Sequence, residues 1–348
     1  MQKAKEKREK KLLEQQMQQS SEKCEEGRLL LEPEGKGVSP NYNKAIVAFD
    51  AAIELYPENA QAFVYRATCH REQHNLDQAI EDYTKAFTLD PHSVSALAGR
   101  ASCYESTKLW DKAAADYTMI IEIHPSNDHA FNMRGLCRLR KRAPGLLLKS
   151  ADFTAVVGDC SNAIRFNENN FYARCNLGKA YEDQLMFREA IDAYSKALTI
   201  KDDYSYAIFR RGCAALSLVE RTNQANESTR SAITLDKLSP EEIIELELKE
   251  EKNSKDIKKM LESAISDFTR VIPEEKAQEI TAVVHLGTCY MYNGELQKAE
   301  DEFRLAAKLL DSLETAPPHL SVIQQALRTK NSALFKRREK ERAEKGVA

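Results

Sequence analysis

The chain has 348 residues, 42% of them apolar and 30% charged, with a formal net charge of -3. That length suits two average domains or one extended repeat array, with enough apolar material for a continuous core. No stretch approaches a membrane span, no apolar signal-peptide core opens the chain, and its eight cysteines lack secretory context, which points to a reducing intracellular setting.

The charge is unevenly placed. Residues 1–11 (MQKAKEKREKK) carry a net +4 and residues 328–348 a net +5, which leaves about -12 between them. An acidic body with basic ends does not make a nucleic-acid face, and no interleaved aromatic platform supports one. Residues 1–21 read as a basic leader helix or flexible extension. The first hairpin half follows with Ala45, Phe49, Ala52 and Pro57, after the interruption LEPEGKGVSPN.

Next comes AFVYRATCHREQHNLDQAIEDYTKAFTLDP, and its parts recur. Pro57, Pro91 and Pro125 are spaced by 34 residues, as are Arg66, Arg100 and Arg134, and Cys69, Cys103 and Cys137. Ala79 and Ala113 keep the same interval, and so do Tyr83 and Tyr117. Several sets in one register establish a repeat. Small residues such as Ala67 and Ala79 suit a close helix crossing, and Phe63, Ile80, Tyr83, Ala86 and Phe87 follow the 3.6-residue period of an apolar face. A turn is expected at Gln73 to Leu76, and Pro91 ends the second helix or opens the next turn. One hairpin cannot bury its apolar face alone, but stacked hairpins can.

Units fall at roughly 22–58, 60–92, 94–126, 128–169, 171–203, 205–237, 238–278 and 280–312, with a capping helix and basic tail over 313–348. Three depart from the regular length. The first holds the insertion above, and the fourth holds RKRAPGLLLKSADF, where Pro144-Gly145 interrupts any continuous helix. The seventh begins with the acidic PEEIIELELKEEKNSKD and keeps only Ala264 and Phe268 of the pattern.

In this register the chain resembles the tetratricopeptide repeat family. The residues that carry the resemblance most fully are Leu177, Gly178, Tyr181, Ala190, Tyr194 and Ala197, then Leu286, Gly287, Tyr290, Ala299, Phe303 and Ala306. The resemblance implies an all-α, right-handed superhelical solenoid of antiparallel hairpins, with first helices lining a concave face. It also implies a protein-interaction scaffold for an extended peptide or helix. The alternatives it implies are a co-chaperone or enzyme-complex adaptor and a ciliary or microtubule-associated assembly factor. A cytoplasmic location is expected, with nuclear or ciliary association as variants.

Chemistry has little foothold. Glu81 and Asp82 are adjacent on a helix and cannot oppose each other as a catalytic pair, so both read as solvated charge. Cys69, Cys103, Cys137 and Cys289 share one repeat position, with Cys213 displaced by one, and read as small buried hydrophobes. No C-x-x-C, zinc spacing, GxxxxGK or GxGxxG is present. No enzyme activity, cofactor or metal is expected. Arg66, Arg100, Arg134 and Arg211 fit either inter-repeat pairing or a charged strip facing a ligand.

The family's chaperone-binding members clamp a terminal carboxylate with Lys and Asn, then Asn, then Lys and Arg on successive first helices. Here the first such set is Val64, Thr68, Gly99, His129 and Met133, which fails. A later one is Asn132, Leu136, Asn176, Tyr206 and Arg210, and Leu136 and Tyr206 break it. On the first helices, Tyr65, Asn132, Asn176, Tyr206 and Arg210 are the expected protein contacts.

Overall fold

The computed structural model describes residues 2–32, 39–141, 149–232, 240–271 and 276–311, with 328–330, 332–337 and 339. The centres of both insertions, including Pro144-Gly145, and the tail beyond 339 lie outside these residues. Among the described residues the only regular element is the α-helix.

Two compact units are present, Met1–Glu168 and Asn169–Ala348. The first contains α1 (Gln2–Leu31), α2 (Tyr42–Leu55), α3 (Ala60–Glu72), α4 (Leu76–Leu89), α5 (Val94–Ser106), α6 (Trp110–Ile123), α7 (Asp128–Arg140) and α8 (Ser150–Phe166). The second contains α9 (Phe171–Asp183), α10 (Phe187–Leu198), α11 (Ser205–Ala232), α12 (Pro240–Arg270), α13 (Lys276–Tyr292) and α14 (Leu296–Asp311). Consecutive helices pair as hairpins, and within each unit a hairpin packs on the next. The architecture is an all-α array of paired helices.

Short signals set each hairpin. Asn59, Ser93, Asn127 and Asn170 cap first helices by accepting the N–H groups of Ala62, Ala96, Ala130 and Ala173, which satisfies donors the helix leaves open. The turn inside the hairpin uses one left-handed residue: His74, Lys108 and Leu185 at φ 62°, 60° and 59°, and Gly294 at 84°. The following N–H closes it, as when Asn75 donates to His70 O and Leu109 to Tyr104 O, both at 2.8 Å. Glycine is the usual choice at such a position.

Leu185 is 46% exposed, so its side chain recovers little there. A left-handed L-residue costs about 1–2 kcal/mol and glycine's extra chain entropy offsets about 0.5–1 of that. Leu185→Gly is therefore expected to raise stability by about 0.5–1 kcal/mol, read as a higher urea midpoint at unchanged slope. A lower midpoint would show that the leucine side chain holds the turn.

The helix crossings are tight. Ala79, Ala113, Ala190 and Ala299 are fully buried, and so, within a few per cent, are Tyr83, Tyr117, Tyr194 and Phe303. A Cβ on Gly178 or Gly287 would lie 2.8 Å from Tyr194 Cε1 or 2.7 Å from Phe303 Cε1, so these crossings admit glycine alone. Tyr181 and Tyr290 pack at the edges of the same clusters, and Pro91 and Pro125 sit in the turns after α4 and α6. Cys69, Cys103, Cys137 and Cys289 are buried and unpaired. Burial pushes the Cys69, Cys137 and Cys289 thiols up to about 12, which makes them packing groups rather than nucleophiles.

The array differs from the expected register in two places. The segments assigned to a sixth and a seventh unit form one hairpin, α11 with α12. Asp267 of α12 receives Arg211 of α11 at 2.6 Å, and Phe268 lies 3.0 Å from where a Gly212 Cβ would be. These are second-helix roles opposite α11, so the acidic stretch extends α12 instead of forming a first helix. Seven hairpins therefore stand among the described residues. At the other end, the boundary expected near residue 21 falls inside the continuous α1. Ser20 is already buried there, donating to Ala52 O at 2.6 Å and accepting from Asn59 at 2.9 Å.

In the second unit, Leu334 of the helical residues 332–337 packs on Ile280, Val284 and Met291, and Arg337 donates to Met291 O at 2.8 Å. Nearby, His285 lies against Phe209 and Phe268, with ring centroids 6.1 and 5.4 Å away. Burial lowers its pKa to about 4. The unfolded chain then binds a proton that the folded chain refuses, so stability falls as pH drops from about 6.5 toward 4. This loss is expected to reach roughly 2–3 kcal/mol. His285→Phe should flatten that limb of a stability–pH curve, and an unchanged slope would assign the acid sensitivity elsewhere.

Candidate functional site

The recurrent arginines do not form a ligand strip. Each is fixed between two second helices. Arg66 donates to Asp82 at 2.8 and 2.7 Å and to Asp50 of the preceding hairpin at 2.6 Å. Arg100 holds Asp116 at 2.9 and 2.7 Å and reaches Thr84 at 3.2 Å. Arg134 holds Asp159 and reaches Thr118 at 3.2 Å, and Arg211 holds Asp267 and reaches Ser195 at 3.3 Å. Asp82 is therefore a buried acceptor at 8% exposure, a correction to the expectation of a solvated charge. Glu81 beside it is exposed.

With those arginines committed, the residue before each one becomes informative. Tyr65, Gly99 and Met133 precede Arg66, Arg100 and Arg134, and all three line one groove in the first unit, with a volume of about 740 Å³. On α3 its wall is Gln61, Val64, Tyr65, Thr68 and Arg71 at helical spacing, and on α5 its floor is Ser95, Ala98, Gly99 and Ser102. His129 and Met133 of α7 close the far side, and Arg28 and Glu32 stand at the near end. Ser95, Ala98, Gly99 and Ser102 are small, which leaves room over α5. A Cβ at Gly99 would fall 2.2 Å from Tyr83 Cζ, so glycine lets that tyrosine reach the groove and meet Thr68 Oγ at 3.0 Å.

The charges are mostly paired locally. Arg28 bonds Glu25 and Glu32 at 2.6 and 2.7 Å, and Arg71 bonds Glu72 at 2.8 Å. Glu105, at the end of α5, accepts the Tyr117 hydroxyl at 2.7 Å. Burial, then the neighbouring Glu105 carboxylate, drives the Tyr117 pKa well above the usual phenol value, so the hydroxyl stays a donor.

The five expected contact residues divide between the two units. Tyr65 lines the groove and stacks on Phe49 with centroids 5.5 Å apart. Asn132 is 5% exposed, part of the packing rather than of the groove wall. Asn176, Tyr206 and Arg210 belong to the second unit. There Arg210 is paired with Glu182, which commits it internally, while Tyr206 is 41% exposed. Glu105, Ser95, Ala98 and Ser102 were not singled out in the sequence, and Gly99 and Met133 entered it only as positions of the failed clamp. Their signal was the position before each recurrent arginine, together with its helical neighbours.

Comparison with known proteins agrees with the hairpin geometry. The family model described as tetratricopeptide repeat matches residues 60–93 and again residues 171–204. The chain contains tetratricopeptide repeats. It is similar to a solved tetratricopeptide repeat protein from Parabacteroides merdae at 16% identity and a TM-score of 0.52, covering 89% of this chain and 98% of that one. It is also similar to YrrB, described as having an unusual peptide-binding site, at 18% identity and a TM-score of 0.44, over 63% of this chain and 92% of YrrB. The tetratricopeptide repeat domain of Arabidopsis OM64 aligns at 28% identity and a TM-score of 0.32, over 35% and 97% of the two chains. No curated protein sequence matches the chain. At 16% identity the Parabacteroides merdae structure shows the fold alone.

Proposed function

We propose that this repeat protein is a non-catalytic interaction scaffold whose first-unit groove holds an extended segment or helix of another protein. The observation that carries the reading is the open groove itself, built from equivalent positions of α3, α5 and α7 and floored by small side chains. Such a surface admits a backbone at close range, and its tyrosines supply amphipathic contact area. Among the described residues no His, Cys, Asp and Glu cluster is placed to hold a metal ion, and no helix is long and apolar enough to cross a membrane. The unpaired thiols favour a reducing, cytoplasmic compartment. A chaperone adaptor of the clamp type is disfavoured, because Val64, Gly99 and Met133 bring no side-chain N–H donor to the groove.

Ser102→Trp tests the reading by filling the floor. Capped random nonapeptides that bind the native chain are expected to lose at least tenfold in affinity to this variant, with helicity unchanged. Equal binding by both proteins would place the interface outside the groove.

A further inference from the structure

Glu105 is the one carboxylate lining the groove that has no cationic partner among the described residues. Its Oε1 accepts from Tyr117, and Glu32 and Glu72, by contrast, each hold an arginine. The second unit contains the same arrangement with the cation in place. There Tyr194 donates to Glu182 Oε2 at 3.0 Å, and Arg210 of α11 donates to the other oxygen. The spacing is identical: 12 residues from carboxylate to tyrosine, and 28 from carboxylate to the next first helix, where Met133 stands in place of Arg210. One unit therefore satisfies its glutamate internally, and the other leaves it lining an open groove that Met133 lines too.

We propose that Glu105 is the recognition carboxylate for an arginine side chain of a partner's peptide. This rests on the groove being the docking surface. The partner guanidinium takes the place relative to Glu105 that Arg210 takes relative to Glu182, with its aliphatic stem along Met133. Tyr117 keeps the carboxylate oriented by donating to one oxygen, which leaves the second for a charge-assisted hydrogen bond. A planar guanidinium suits that geometry better than the compact, strongly hydrated ammonium of lysine. The occupant is thus a basic peptide segment rather than the acidic terminus that clamp-bearing relatives hold. Met133 is also adaptable packing material, able to follow the stem of an incoming side chain.

The test uses the full chain and two pools of capped nonapeptides, randomised except for a central arginine in one and a central citrulline in the other. Citrulline keeps the shape and removes the charge. The native protein is expected to bind the arginine pool about 10–100-fold more tightly, the range for a charged hydrogen bond. Glu105→Gln should erase that preference while Tyr117 keeps an acceptor. Met133→Arg should erase it too, by supplying the guanidinium from within, and should raise the thermal midpoint, a gain no merely disruptive change would give. Peptides that bind equally with arginine or citrulline, yet are lost in Ser102→Trp, would overturn the role of Glu105 and leave the groove standing. Binding that Ser102→Trp does not touch, or no binding by either pool, would overturn the groove reading and this one with it.

Discussion

Asp116→Ala is expected to destabilise the first unit by about 3–5 kcal/mol, the range for removing one member of a buried ion pair. The Asp116 side chain is 5% exposed and that of Arg100 is 11% exposed. The carboxylate takes two guanidinium bonds at 2.9 and 2.7 Å, and that bonding holds the Arg100 pKa above its ordinary value. Truncation leaves an enclosed cation that keeps Thr84 and the Phe87 ring, at 5.3 Å, but no carboxylate bond. The penalty comes from the stranded charge rather than from lost attraction. Replacing both partners, Arg100→Met with Asp116→Leu, should therefore recover most of the stability. Urea denaturation of the three proteins decides it. If Asp116→Ala loses less than about 1 kcal/mol, the range of an exposed pair, the strut is solvated in solution.

These struts also mark what the sequence allowed to be read. The 34-residue recurrence of arginine, cysteine, alanine, tyrosine and proline reports packing that repeats in every hairpin, and periodic packing is visible without partners. The acceptors were legible in principle, since Asp82-Tyr83-Thr84 and Asp116-Tyr117-Thr118 keep the same interval. In each triplet the aspartate serves its own hairpin and the threonine the next one, a division of labour that adjacency in sequence does not suggest. The merged α11–α12 hairpin escaped for a different reason. Lengthening both helices inserts charged turns with good helical periodicity, and such turns resemble the start of another unit. The long-range pairing of Arg211 with Asp267 and the approach of Phe268 to Gly212 show that no new hairpin begins.

The site was less legible than the fold. A groove is made of what a repeat position lacks, and Gly99, Ala98 and Ser102 look like ordinary helix residues in isolation. Tyr65 is visible as a large residue on a first helix, whereas Asn132 is buried and Arg210 turns to Glu182 of the preceding hairpin. The contrast between Met133 and Arg210 needs the structure, because its meaning lies in the carboxylate that each one faces.

Ala79→Arg is expected to open the α3–α4 hairpin, with a loss above about 3 kcal/mol. Ala79 is fully buried, in one cluster with Phe63, Val64, Tyr83 and Ala86. Overpacking alone costs about 1–3 kcal/mol, and burying an unpaired charge adds to it. The nearby carboxylate gives no relief, since Asp82 already takes two bonds from Arg66. Tyr83 cannot retreat either, with its hydroxyl on Thr68 and its ring against Gly99. Ala79→Ser adds one small polar atom, which can bond back to a carbonyl of its own helix, and should cost about 1 kcal/mol or less. Hairpin arrays are stabilised mainly by their nearest neighbours, so amide exchange in Ala79→Arg should accelerate through α3 and α4, then α2 and α5, while α9–α14 stay protected. Equal urea midpoints for the arginine and serine variants would show that the crossing has room, and protection lost evenly across both units would show that the chain unfolds as one body.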